Sequence, residues 1–175
     1  MEYLVLTAVG TDRPGIVAEL TELLASRGAS VADSRMALLG GEFAVMMLLS
    51  VPADGGQSLR EEVSRAGETL GLQTVLKETR SPAAHRAGNV RSYEIQVHAL
   101  DHPGIVHAFT TAVRGLGGNV VSLDTSAYQA AVTGAPLFRM SLAADFPPEV
   151  TAGRLRERLE EVSDAANADV DVRPL

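Results

Sequence analysis

Apolar positions recur along this chain with two periods, and each pattern appears twice. Ile16, Leu20, Leu23 and Leu24 fall at i, i+4, i+7 and i+8, which draws one stripe on a helix. The same stripe returns 89 positions on as Ile105, Phe109, Ala112 and Val113. A second helical pattern, Leu59, Val63, Ala66 and Leu70, returns 96 positions on as Leu155, Leu159, Val162 and Ala166. The second copy therefore carries about seven extra residues, placed most simply in a hairpin loop around Ala130 to Pro136. A glycine follows each first stripe, Gly28 and Gly117, suited to the left-handed end of a helix.

Runs of period two predict strands between these helices. In the first copy the strands cover roughly Tyr3–Val9, Ser30–Leu39, Glu42–Val51 and Leu72–Lys77, with helices over Pro14–Arg27 and Ser58–Gly71. Gly40-Gly41 supplies a hairpin turn, since a two-residue loop requires positive φ. In the second copy the strands cover Ser92–Leu100, Asn119–Tyr128, Leu137–Ala144 and Ala168–Arg173, with helices over Pro103–Leu116 and Thr151–Ala166. The expected organisation is a domain over 1–80, a linker over 81–91 around Ser81 to Asn89, and a domain over 92–175. Each copy reads βαββαβ, the ferredoxin-like order. The fold class is α+β, with two antiparallel sheets carrying helices on one face.

The helices leave one face of each sheet free, and the copies differ there. In the first strand, Leu4, Leu6 and Ala8 match Tyr93, Ile95 and Val97 on the helix side. The opposite face reads Val5, Thr7, Val9 against Glu94, Gln96, His98. In the third strand it reads Ala44, Met46, Leu48 against Arg139, Ser141, Ala143, and in the last, Val75 against Asp171. An apolar face of this extent is expected to be covered by copy two, a second subunit or another protein. The alternative is a locally curled sheet with a small private core.

Composition narrows the function classes. The 175 residues include no cysteine, which excludes disulfides, thiolate catalysis and cysteine-based metal sites. The formal net charge is −7, and residues 1–80 and 91–175 each hold 7 basic and 11 acidic side chains, so neither half is a basic nucleic-acid arm. No apolar run reaches the length of a membrane span, and the N-terminus lacks the basic and apolar regions of a signal peptide. A soluble, cytoplasmic protein is expected.

The candidate chemistry lies in a repeated turn. Asp12-Arg13-Pro14-Gly15-Ile16-Val17 returns as Asp101-His102-Pro103-Gly104-Ile105-Val106, each joining a strand to a helix. Asp12 is suited to cap the helix, Pro14 to its first turn, and Gly15 to close approach of a ligand to the backbone. The amides of Gly15, Ile16 and Val17 would then face a carboxylate or phosphate at the positive end of a helix. The other reading is a capped helix start with no ligand. Asn119, expected opposite that loop where the second strand begins, can read an ammonium or a carboxylate, or can serve only as turn chemistry after Gly117-Gly118; copy one has Ser30 there.

Other chemistries fail on spacing. His98, His102 and His107 find no obvious fourth ligand, so no metal is expected. Gly115-Leu116-Gly117-Gly118 ends a helix rather than opening one, which removes a dinucleotide loop. No nucleophile–base pair is visible, so no catalytic residue is assigned and no cofactor is expected.

These residues resemble tandem ACT domains, small-molecule-sensing units of ferredoxin-like fold. The Asp-Arg-Pro-Gly-Ile-Val segment is the usual opening of one ACT subgroup. The run from Val31 to Ala44, VADSRMALLGGEFA, looks like the glycine cleavage system transcriptional repressor family, two ACT units and little else. The resemblance implies a non-enzymatic, amino-acid-responsive regulator with glycine as the expected ligand. It would act through a transcriptional activator protein rather than by touching DNA. It also implies ligand sites between ACT units, using the turn of one and the second strand of another: Asp12 to Val17, Asp101 to Val106, and Asn119. A homodimer is the expected assembly. The alternative is a ligand-independent interaction module that uses the apolar sheet face of the first domain. His102 in place of Arg13, and the longer hairpin, set the second copy apart.

Overall fold

Residues 1–53, 55–81, 89–131 and 133–175 are described by the computed structural model. The chain divides into two compact units, Met1–Ala87 and Gly88–Leu175. Most of the stretch expected to be a linker lies outside the described residues.

The first unit runs β1 (Glu2–Thr11), α1 (Ile16–Ser26), β2 (Ser30–Leu39), β3 (Glu42–Val51), α2 (Gly56–Leu70) and β4 (Leu72–Thr79). The second repeats the order as β5 (Arg91–Leu100), α3 (Ile105–Gly115), β6 (Asn119–Gln129), β7 (Pro136–Phe146), α4 (Ala152–Ala166) and β8 (Ala168–Pro174). Each sheet is antiparallel, with order β2-β3-β1-β4 or β6-β7-β5-β8.

Alternation along the central strands sorts side chains as the period predicts. Leu4, Leu6 and Ala8 are buried under α1 and α2, and Tyr93, Ile95 and Val97 occupy the same places in the second unit. The stripes of α1 and α3 close these cores with Ile16, Leu20 and Leu24, and with Ile105, Phe109, Ala112 and Val113. Each fully buried aliphatic contributes about 1.5–3 kcal/mol relative to exposure, and these residues hold both helices of each unit on one face of its sheet. The Tyr93 hydroxyl donates to the Val150 carbonyl at 3.2 Å, and its ring meets Phe146 edge-on at 5.8 Å.

Turn chemistry fixes the element ends. Gly28 has φ 69° and Gly117 φ 72°, the left-handed exit expected of each helix. Ala29 N then bonds Leu24 O, and Gly118 N bonds Val113 O, satisfying carbonyls the helices leave open. Gly40 and Gly41, at φ 60° and 87°, form the two-residue hairpin between β2 and β3. The corresponding link in the second unit spans residues 130–135, where part of its extra length resides.

The free faces differ as their residues predict. In the first unit Val5 and Leu48 are paired and half-buried, while Met46 and Val75, both in register with Thr7, are 53% and 64% exposed. In the second, Ser141 donates to Glu94 at 3.3 Å, and His98 lies between Arg139 and Asp169.

Candidate ligand-binding site

Both turns begin where a central strand ends. Asp12 N donates to Gly41 O at 3.0 Å, and Asp101 N to Pro136 O at 3.0 Å, so each turn is tied to the start of the neighbouring strand's hairpin. Gly15 (φ 94°, ψ −12°) and Gly104 (φ 98°, ψ −9°) are then the residues at which the helices open. Their carbonyls accept from Glu19 N and Ala108 N, each at 2.9 Å. Among the described residues, the amides of Gly15, Ile16 and Val17 have no protein acceptor, as expected of a first helical turn.

Three sequence expectations are corrected here. Asp12 does not cap α1: the cap position is Gly15, with no side-chain cap. Pro14 precedes the helix instead of lying in its first turn, because the left-handed Gly15 stands between Pro14 and Ile16. The glycine is required by that positive φ, whether or not a ligand approaches it. Asn119 does not lie opposite the turn in its own unit. It is in register with Asp145, at the end of the sheet where Ser92 begins β5, whereas Asp101 follows the other end of β5. The eleven residues of α3 separate the two, about 16 Å of helix.

At the first turn Asp12, Arg13, Gly15, Ile16 and Val17 line one cleft of about 260 Å³, closed by Ala18, Met36 and Phe43. Of the six residues expected there, only Pro14 is absent from the lining. Met36 and Phe43 carry no polar signal in the sequence. They reach the turn because β2 and β3 pass beside it, a placement that pairing register rather than local pattern decides. In the second unit a cleft of about 340 Å³ opens toward the free sheet face, with His98, Leu100, Tyr128, Leu137 and Asp169 among its lining and none of Asp101 to Val106.

The residue after each aspartate turns back on the proline carbonyl. Arg13 Nη1 donates to Pro14 O at 3.2 Å, and its guanidinium makes two further bonds to Glu19, at 2.7 and 2.9 Å. The hydrogen bond from Arg13 holds the Glu19 carboxyl below the usual carboxylate range. In the second unit His102 Nδ1 lies 3.1 Å from Pro103 O and Nε2 lies 3.1 Å from Ala166 O. Position 108 is alanine, so no carboxylate stands where Glu19 does. Both backbone contacts raise the His102 imidazole above its ordinary value, that to Pro103 most. Sequence reading assigned no role to Glu19; its place four residues after Gly15 is the signal that puts it over the turn. Among the described residues no cluster of three or more His, Asp or Glu side chains could hold a metal ion.

The model for the ACT domain matches residues 2–77. The chain is 31% identical to the glycine cleavage system transcriptional repressor of Escherichia coli over 166 residues, covering 95% of this chain and 86% of that protein. Phosphoserine phosphatase SerB2 of Mycobacterium tuberculosis is 25% identical over 175 residues, but the match covers only 39% of that enzyme. Among solved structures, a protein of unknown function from Galdieria sulphuraria superposes with TM-score 0.87 at 31% identity, covering 99% of this chain and 98% of its own. A crystal structure described as a candidate glycine cleavage system transcriptional repressor superposes with TM-score 0.73 at 26% identity, covering 99% and 97%.

Proposed function

The chain belongs to the glycine cleavage system transcriptional repressor family, and from that premise we propose that it is a non-enzymatic regulatory protein that binds a small amino acid at its strand–helix turns. The observation that carries this reading is the first-turn cleft, where uncommitted amides and Arg13 border the apolar surfaces of Met36 and Phe43. A ligand carboxylate meets the amides of Gly15 to Val17 at the positive end of α1, and its ammonium meets Asp12. Glycine is the ligand the resemblance names. Asn119 joins such a site when a second copy of the chain brings the start of its β6 to a turn, and the expected homodimer supplies that copy.

The ligand shifts an equilibrium between packings by its differential affinity for them, and a partner protein reads the outcome. Regulation through a transcriptional activator protein, without direct DNA contact, fits the net charge of −7, which gives phosphate no attractive surface overall. No described helix is long and apolar enough to cross a membrane, and a cytoplasmic location goes with this reading. Calorimetry and amide NMR against a panel of amino acids test it. The expected result is saturable binding that moves the resonances of Gly15, Ile16 and Val17 or of Gly104, Ile105 and Val106. If no amino acid moves either set, the reading fails.

The exposed Met46 and Val75 favour a second reading, in which the apolar sheet face of the first unit is itself the partner surface. Partner binding that persists with no amino acid bound distinguishes it.

A further inference from the structure

We propose that His102 is a proton-dependent clamp on the second turn, so that the hold and charge of this turn follow pH while those of the first do not. The proposal rests on the reading of the turns as ligand sites only for its consequence, not for the clamp itself.

Both ring nitrogens of His102 face carbonyl oxygens, Pro103 O and Ala166 O, each at 3.1 Å. A carbonyl only accepts. A neutral imidazole has one N–H and one lone pair, so it satisfies one of these contacts and sets its lone pair against the other oxygen. The imidazolium donates to both. Protonation therefore fastens the turn, through Pro103, to the last residue of α4. Ala166 O is also one of the carbonyls a helix leaves unpaired at its negative end, where a cation is favoured.

The ionisable groups nearest in the chain to His102 and to the two carbonyls it faces are Asp101 just after β5, His107 on α3, Asp164 on α4 and Asp169 on β8. Of these, Asp101 acts on the ring by charge, in the direction that favours the cation.

The first unit answers the same geometric need with a group that does not titrate in this range. Arg13 takes the Pro14 carbonyl and keeps its charge, and Glu19 neutralises it. With Ala108 at the matching place, protonated His102 has no such partner and leaves the second turn more positive. A carboxylate ligand would thus bind the second turn more tightly below the His102 midpoint, by roughly two- to fivefold, the usual upper effect of an exposed charge–charge contact. Binding at the first turn would stay constant.

The test is an NMR titration of the whole chain from about pH 5.5 to about pH 8.5, the range in which histidine titrates. His102 is expected to titrate above the ordinary imidazole value of about 6.5, with both ring nitrogens protonated on the acid side. Amides of Gly104, Ile105 and Asn167 should move with the same midpoint, while those of Gly15, Ile16 and Val17 stay still. His102→Arg should abolish the pH dependence of the second turn. A midpoint at or below the ordinary value, or turn amides that ignore it, overturns the clamp. Repeating the titration with glycine separates the two claims. If glycine moves neither turn while His102 titrates as stated, the ligand reading fails for glycine and the clamp stands. If glycine binds and His102 titrates as a free histidine, the clamp fails alone.

Discussion

Gly118 and Phe146 are shaped to each other: a methyl group at Gly118 would come within 2.5 Å of the Phe146 ring and 2.8 Å of Val113. The matching positions in the first unit hold Ala29 and Val51, both buried. One unit fills the gap between helix exit and sheet with a large ring and no side chain, the other with two smaller groups. Gly118→Ala should destabilise the second unit by roughly 1–3 kcal/mol through overpacking. Gly118→Ala with Phe146→Val should recover much of that loss, because it recreates the first unit's pairing. Urea unfolding of the single and double variants checks this, and additive losses would refute it.

Gly15 and Gly104 adopt the same left-handed backbone in different surroundings. Among the described residues a side chain at Gly104 meets nothing within 4 Å, whereas one at Gly15 comes to 3.1 Å from Glu19 Oε1. Alanine at either position should cost about 1–2 kcal/mol from backbone strain alone. Gly15→Ala should in addition disturb the Arg13–Glu19 pair, visible as a changed Glu19 titration, while Gly104→Ala leaves Glu19 untouched.

The Arg13–Glu19 pair carries its own pH signature. Because the Glu19 carboxyl is depressed in the folded protein, its contribution is present above the unfolded carboxyl value of about 4.3 and is lost as pH falls through the lower folded value. Arg13→Ala should return Glu19 toward the ordinary value. Side-chain carboxyl NMR measures it, and an unmoved titration would show that the guanidinium is not the cause. Both groups are substantially exposed, so the pair orients the turn more than it stabilises the fold.

Met46 and Val75 stand more than half exposed on the free face of the first sheet. Replacing both with lysine should change the intrinsic stability of the unit by no more than about 0.5 kcal/mol per site. If this face meets a partner, the same variant should lose the oligomer or the partner complex in sedimentation, with far-UV dichroism unchanged. An assembly that is indifferent to the two lysines would remove the face from consideration.

Much of this was legible from sequence because it is local. The stripes of α1 and α3, the period of the central strands, the two-glycine hairpin and the left-handed exits at Gly28 and Gly117 each depend on neighbours a few residues away. The repeat then fixed the βαββαβ order twice. The turn was legible as a place, but its internal roles were misread. A spacing of Asp, Pro and Gly does not reveal which residue takes positive φ, and Gly15 rather than Asp12 became the helix cap. Met36 and Phe43 are neighbours of the cleft that nothing in their own segments marks, whereas Glu19 is marked only by its spacing of four from Gly15.

The chain by itself determined which faces of its helices and strands are apolar, since burial follows a period that the residues carry with them. Only the tertiary structure decided what the turns touch. Asn119 went to the far end of its sheet because antiparallel pairing and the length of α3 put it there. His102 met the carbonyl of Ala166, sixty-four residues away in sequence, because α4 ends beside the turn. Periodicity is a property of a segment, whereas contact between distant segments depends on strand register and helix packing, which no single segment encodes.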